Sequence, residues 1–186
     1  MPLQNRYFIA LIPPQEVCEQ VTDFKKHIAQ NYNSHKALRV IPHITLKTPF
    51  HLEEKEHSLL MQWFHNLSFN INKFELQLNG FGCFDNSKAP VIYVQPKYSS
   101  QLLSVQQSII KQFGTAFPNT KIQFHDNHYH PHMTIGYRDL VYSEFEKAWA
   151  VYKNKPYQAQ FEVQGFYLLQ HDTKQWNIIA EHLLQE

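Results

Sequence analysis

The chain has 186 residues, of which 43% are hydrophobic and 18% are charged, and its formal net charge is +1. This length suffices for one domain with its own core, or for two small fused lobes. The small net charge argues against a protein that binds long duplex nucleic acid, because such binding requires many Lys and Arg contacts. No apolar run approaches the ~20 residues of a membrane span, and the opening residues predict no signal region.

Cysteine and histidine contents are both informative. Cys18 and Cys83 are the two cysteines, too few for a disulfide framework, so we expect a protein of the reducing cytoplasm. The chain has 12 histidines, and the segment 125–132 reads HDNHYHPH.

Strand-like and helix-like segments alternate along the chain. Prolines follow the first apolar segment and suit the first turn of a helix. We predict strands at about residues 7–12, 43–48, 91–95 and 132–137, and helices at about 13–31, 55–66, 99–113 and 143–152, with a further strand closing each half.

Matching short sequence motifs in the two halves of the chain indicate an internal duplication. Residues 42–45 read PHIT and residues 131–134 read PHMT, while FELQLNGF at 74–81 is matched by FEVQGF at 161–166. Two such strand–helix–strand–helix–strand units, about 4–88 and 89–186, predict a single bilobal α+β domain over 1–186. We expect two mostly antiparallel sheets with outer helices, and the two motifs facing each other across a central cleft.

Side chains alternate along a strand, so His43, Thr45 and Lys47 share one face of the first motif. His130, His132 and Thr134 share the corresponding face of the second motif, and Arg138 ends that strand. Near neutral pH one imidazole can accept a proton while the other donates one. The threonine hydroxyls, Lys47, Arg138 and His130 are candidate ligands of a phosphate placed between the two histidines.

These motifs resemble those of the 2H phosphoesterase superfamily. The opening RYFIALIP at 6–13 and the block PHITLK at 42–47 are similar to its 2′-5′ RNA ligase and cyclic phosphodiesterase branch. The resemblance implies a bilobal fold and a metal-independent phosphodiesterase without cofactor, acting on 2′,3′-cyclic phosphates or 2′-5′ linkages of small nucleotides or RNA ends. It assigns catalysis to His43 and His132 and phosphate binding to Thr45 and Thr134. The second motif runs HMTIGYR, so its arginine, Arg138, comes one place later than in the family's His-x-Thr-Leu-x-Arg run.

Other interpretations of the same residues remain open. A protein of this fold that binds nucleotides or RNA ends without catalysis is the main alternative. The histidines of 125–132 also suit a zinc or nickel site, although no HExxH motif or cysteine partner accompanies them; His128 and His130 are otherwise expected at the cleft or its entrance. Some aromatic residues can stack a base, and the candidates are Tyr7, Phe50, Phe81 and Tyr129.

Overall fold

The computed structural model describes residues 4–186, and residues 1–3 of the expected domain lie outside the described residues. The strands are β1 Gln4–Leu11, β2 Ile44–Glu53, β3 Phe74–Phe84, β4 Val91–Pro96, β5 Met133–Gly136, β6 Gln158–Val163, β7 Gly165–His171 and β8 Trp176–Leu183. The helices are α1 Gln15–Tyr32, α2 His57–His65, α3 Ser100–Ala116, α4 Phe124–Asn127 and α5 Tyr142–Tyr152, with short 3₁₀ turns at Lys36–Arg39 and Glu54–Glu56. The strands and helices predicted from the sequence are confirmed, with shifts of a few residues at their ends.

Two four-stranded sheets form the framework, with strand orders β2-β1-β7-β8 and β5-β4-β3-β6. Neighbouring strands are antiparallel throughout both sheets. The predicted α+β class with antiparallel sheets and helices is therefore confirmed. Each sheet contains strands of both halves of the chain. Helix α1 packs against α5 and against β5 of one sheet, whereas α3 packs against β2 of the other sheet.

Strand β1 is buried on both faces, which explains its nearly continuous apolar sequence. Tyr7, Ile9 and Leu11 belong to the main core between sheets and helices. Phe8 and Ala10 belong to a smaller cluster on the opposite face. This second face forms one wall of the cleft described below.

A β-bulge follows the motif threonine on β2. Thr45 is the partner of Ala10, but Lys47 is the partner of Ile9, so Leu46 is an extra residue. Because cross-strand partners point to the same face, Thr45 shares the face of Ala10, whereas Lys47 turns into the main core with Ile9. The bulge thus breaks the alternation expected along residues 43–47.

A second bulge occupies the same place on β5. Thr134 is opposite Tyr93 and Gly136 is opposite Ile92, which leaves Ile135 as the extra residue. The position of Gly136 is tight, because a Cβ atom there would lie 3.1 Å from the Ile28 side chain of helix α1, which would have to shift by a few tenths of an ångström. Both motif strands therefore change face directly after their threonine.

Within residues 4–186, no helix combines the length and the apolar character needed to cross a membrane. Cys18 and Cys83 are free thiols.

Candidate active site

A cleft of about 600 Å³ is lined by residues of both halves of the chain. Both motif histidines, His43 and His132, and both motif threonines, Thr45 and Thr134, line it. The structure therefore brings together four side chains that are separated by up to 91 positions in the sequence (134 minus 43).

The two histidines are held in the same way. The Nδ1 atom of His43 lies 2.7 Å from the carbonyl oxygen of Ile41, two residues earlier. The Nδ1 atom of His132 lies 2.8 Å from the carbonyl oxygen of His130, again two residues earlier. A carbonyl can only accept, so each Nδ1 carries the proton and Nε2 is the nitrogen left for a ligand.

Aromatic rings pack against both imidazoles. The ring of Phe8 lies 5.1 Å from that of His43, and the rings of Phe84 and Tyr93 lie 5.0 Å and 5.4 Å from that of His132, between centroids. These contacts restrict the orientation of each imidazole and remove water from around it.

This burial lowers the pKa of both histidines. Loss of hydration lowers the pKa of His43 from 6.5 to about 4, and the positive charges of Lys25 and His132 lower it further, against the hydrogen bond to Ile41. Burial also lowers the pKa of His132, with smaller contributions from His130 and His125. In the ligand-free protein at pH 7 both rings are therefore neutral.

The cleft is strongly basic although the whole chain is nearly neutral. Among residues 4–186, its lining contains no Asp or Glu and six Lys and Arg side chains, namely Arg6, Lys25, Lys36, Arg39, Arg138 and Lys174. With a formal net charge of only +1, this concentration of cations creates a local positive potential that favours an anionic ligand.

Arg138 reaches the cleft through a strained turn. Its φ of 60° lies in the left-handed region, which non-glycine residues rarely adopt. The next residue, Asp139, anchors the turn by accepting hydrogen bonds from the Ser34 hydroxyl at 2.9 Å and the backbone N–H groups of His35 and Lys36 at 2.9 and 3.0 Å. The turn thus brings Arg138 beside the 3₁₀ turn that carries Lys36 and Arg39.

Two residues expected to contact the substrate lie elsewhere. Lys47 is fully buried, and its Nζ donates to the Asp126 carboxylate at 2.8 Å, because the β2 bulge turns it away from the cleft. The ring of His130 accepts or donates a hydrogen bond at 3.0 Å with the Tyr93 hydroxyl and does not line the cleft. The contribution of His130 to the site is its carbonyl, which orients His132.

The aromatic residues proposed from the sequence for base stacking are also outside the cleft. Tyr7 and Phe50 are buried in the main core, and Phe81 and Tyr129 pack against it. The aromatic side chains that line the cleft are Phe8, Tyr137 and Trp176. Trp176 packs edge-on against Phe8 at 4.5 Å, and the Arg6 guanidinium lies 5.3 Å from its ring centroid.

The histidines of segment 125–132 point in different directions. His128 stacks on Phe124 at 4.0 Å, and Asp126 is engaged by Lys47. Across the described part of the chain, no three His, Cys, Asp or Glu side chains are grouped as metal ligands. The expectation that His128 lies at the cleft or its entrance is wrong, since it lines a separate groove beside helix α3.

Most of the basic residues in the cleft were not predicted from the sequence, although for one of them, Lys25, the sequence pattern indicates an unusual position. Lys25 falls on the buried face of α1 together with Val17, Val21, Ile28 and Ala29. A lysine on the apolar stripe of an amphipathic helix is unusual. The other missed cations lie on β1, in the 3₁₀ turn and in the β7–β8 turn, where nothing local distinguishes them from ordinary surface residues.

Comparison with known proteins identifies the family. The family model of the 2′-5′ RNA ligase superfamily matches residues 13–175, which is most of the chain. The chain therefore belongs to the 2′-5′ RNA ligase superfamily, that is, to the 2H phosphoesterases, and this membership supports a phosphoesterase function.

Similar proteins cover the chain nearly end to end. A protein of Bacillus mycoides (strain KBAB4) named "Putative phosphoesterase" is 26% identical over 174 residues, which cover 91% of each of the two chains. Among solved structures, E. coli LigT complexed with 3′-AMP has a TM-score of 0.70 at 15% identity and covers 99% of this chain and 100% of its own. TT0787 of Thermus thermophilus has a TM-score of 0.65 at 18% identity, with coverages of 97% and 98%. These structures share the fold of this chain.

Proposed function

We propose that this protein is a metal-independent phosphodiesterase that cleaves 2′,3′-cyclic phosphates or 2′-5′ linkages in nucleotides or RNA ends, with His43 and His132 as the acid–base pair. The observation that carries this proposal is the identical anchoring of the two imidazoles through Nδ1 in a cleft lined by cations. Each ring then offers its Nε2 atom for proton transfer at a phosphate.

The reaction requires two proton transfers and no redox step. The neutral histidine takes a proton from water through Nε2, and the oxygen of that water attacks the phosphorus atom. The bond from phosphorus to one ribose oxygen breaks, and the protonated histidine gives its proton to that oxygen. Each such transfer accelerates a reaction by roughly 10²–10⁴-fold.

Other side chains of the cleft can stabilise the negative charge that develops on the phosphate in the transition state. The hydroxyls of Thr45 and Thr134 can donate to the non-bridging oxygens, where negative charge accumulates. Arg138 can form two parallel hydrogen bonds with a phosphate. A bound phosphate also raises the pKa of both histidines, because a nearby negative charge favours the imidazolium form, so substrate binding allows one ring to take up a proton from solvent and act as the general acid.

The ligands named for a similar protein agree with a nucleotide substrate. Structures of E. coli LigT are described as complexes with 3′-AMP, ATP and NADP+. A cleft of about 600 Å³ is in the size range of sites for such small ligands. We therefore propose a small nucleotide or an RNA end as the substrate of this chain.

The test is turnover on a panel of 2′,3′-cyclic nucleotides, cyclic-ended RNA, 2′-5′ dinucleotides and ADP-ribose cyclic phosphate. His43→Ala and His132→Ala should each lower kcat/KM by roughly 10²–10⁴-fold. The double variant should lose much less than the product of the two, because the residues act as a unit. His51→Ala is the matched control, since His51 lies on the same strand as Thr45 and is exposed outside the cleft.

The outcomes separate catalysis from binding. Near-wild-type turnover by either alanine variant on every substrate cleaved by the parent protein would refute the acid–base assignment. Nucleotide binding without turnover on the whole panel would instead favour the non-catalytic binder of nucleotides or RNA ends.

A further inference from the structure

Lys25 is a charged residue on the buried face of helix α1. Its helix neighbours Val21 and Ile28 are fully buried, and Lys25 itself is only 3% exposed. It nevertheless lines the cleft that contains His43 and His132. Of the other five cations that line the cleft, Arg6 is half-buried and the rest are exposed. Lys25 is therefore the least exposed of these six cations.

Among the described residues, the Lys25 ammonium has one hydrogen-bond acceptor. Its Nζ donates to the carbonyl oxygen of Val40 at 2.8 Å, and an ammonium group has three donors. Among the ion pairs that residues 4–186 form, none involves Lys25. A buried cation without a counter-ion is costly for the folded state, and an anion from the cleft would compensate that cost.

Lys47, a second buried lysine of this protein, differs from Lys25 in the contacts of its ammonium group. Lys47 is also buried, but it is paired with the Asp126 carboxylate at 2.8 Å and lies over the rings of Phe50 and Phe113. Lys25 donates to a carbonyl in place of a carboxylate, and it lines the cleft. Within residues 4–186, no carboxylate takes the place that Asp126 has beside Lys47.

We propose that Lys25 is a phosphate-binding residue, which contacts a non-bridging oxygen of the substrate phosphate on the side of His43. Its role in turnover rests on the proposed function, whereas its binding of an anion does not. The chemical class of ligand is a phosphate monoester or diester, because an ammonium, two imidazoles and two threonine hydroxyls line the same cleft and can all donate to the oxygens of a phosphate group.

Lys25 also acts on His43 through its charge. Burial lowers the pKa of Lys25 to about 8, so the ammonium form still dominates at pH 7. This charge helps to keep His43 neutral in the ligand-free protein. The groups that face Lys25 are Cys18 on its own helix and His43; His132 and the five other cations line the same cleft. A bound phosphate neutralises part of this positive field and thereby releases His43 to take up a proton.

The experiment measures anion binding and histidine titration, and neither requires turnover. Inorganic phosphate is titrated into the full chain by calorimetry at pH 7, and the pKa of each cleft histidine is followed by NMR. The variants are Lys25→Met and Lys25→Arg. The matched control is Lys26→Met, because Lys26 is the next residue on α1, exposed and paired with Asp23 at 3.0 Å.

Lys25→Met should weaken phosphate binding by roughly tenfold or more, the usual scale for a hydrogen bond to a charged group. Its His43 should titrate at higher pH than in the parent protein, because a neighbouring cation has gone. Lys25→Arg should retain most of the phosphate affinity, and Lys26→Met should match the parent protein in both measurements. If Lys25→Met does not fold, Lys25→Gln is measured in its place, since its amide can still donate to Val40.

Two results would overturn the inference. In the first, the folded Lys25 variant binds phosphate with the affinity of the parent protein, and its His43 has the same pKa. The other is a parent protein that does not bind phosphate. Failure of the proposed phosphodiesterase activity has a different signature, namely phosphate binding that depends on Lys25 without turnover of any substrate.

Discussion

Replacing Asp126 by Ala tests whether the buried ion pair beneath the second motif is structural. Asp126 accepts hydrogen bonds from Lys47 Nζ at 2.8 Å, from the Thr48 N–H and hydroxyl at 2.9 and 2.8 Å, and from the Gln123 N–H at 2.9 Å. Gln106 donates to its backbone carbonyl at 2.8 Å. The carboxylate thus ties β2 to the segment that leads to His132.

Removing Asp126 and removing Lys47 should reduce the free energy of unfolding by different amounts. Asp126→Ala leaves Lys47 buried beside the rings of Phe50 and Phe113, with a 3.4 Å contact to the Thr48 carbonyl as its remaining hydrogen bond. A buried charge without its counter-ion costs about 3–5 kcal/mol of unfolding free energy. Lys47→Met leaves Asp126 with three other donors, so we expect a smaller loss of about 1–3 kcal/mol. For a domain of this size, the Asp126→Ala loss corresponds to a Tm decrease of roughly 6–20 °C.

Urea denaturation followed by circular dichroism measures both variants and the double variant Lys47→Met/Asp126→Asn. The double variant should be more stable than Asp126→Ala, because it contains no unpaired charge. Lys47→Met should keep the KM of the parent protein for any substrate that is cleaved, since Lys47 does not line the cleft. A Lys47→Met variant that loses more stability than Asp126→Ala, or that raises KM at least tenfold with its fold intact, would refute this reasoning.

Three further predictions concern the chemistry of the cleft. Burial lowers the pKa of His43 to about 4 and that of His132 below its ordinary 6.5. Because the acid–base pair needs one protonated ring, kcat/KM should follow a bell-shaped pH profile with its maximum below pH 6.5. A maximum at pH 7.5 or above would contradict this prediction. The kcat maximum should lie at higher pH, because the bound phosphate raises both pKa values. Turnover should also survive an excess of EDTA, and a loss that zinc restores would make segment 125–132 the functional site.

Features that depend on near neighbours along the chain are readable from the sequence. The apolar run of β1, the prolines before α1 and the amphipathic pattern of α3 predict their own elements, because hydrogen bonding and side-chain periodicity within an element are local. The repeated Pro-His-x-Thr motifs likewise identify His43 and His132 as a candidate catalytic pair. The i−2 carbonyl that orients each ring is also local, although its geometry is visible only in the structure.

Other features depend on partners that are distant in sequence. Alternation predicts that Lys47 shares the face of Thr45, but the pairing of β2 with β1 inserts an extra residue at Leu46 and turns Lys47 into the core. Sequence alternation contains no information on this register, because the register is set by the packing of two strands and the helix across them.

The basic character of the cleft is decided only by tertiary structure. Its cations come from β1, α1, the 3₁₀ turn, the β5–α5 turn and the β7–β8 turn, segments that span residues 6–174. Each is an ordinary lysine or arginine in a chain of net charge +1. Their common effect arises because the fold brings them around one cavity, where their positive potentials overlap at the site of a bound anion.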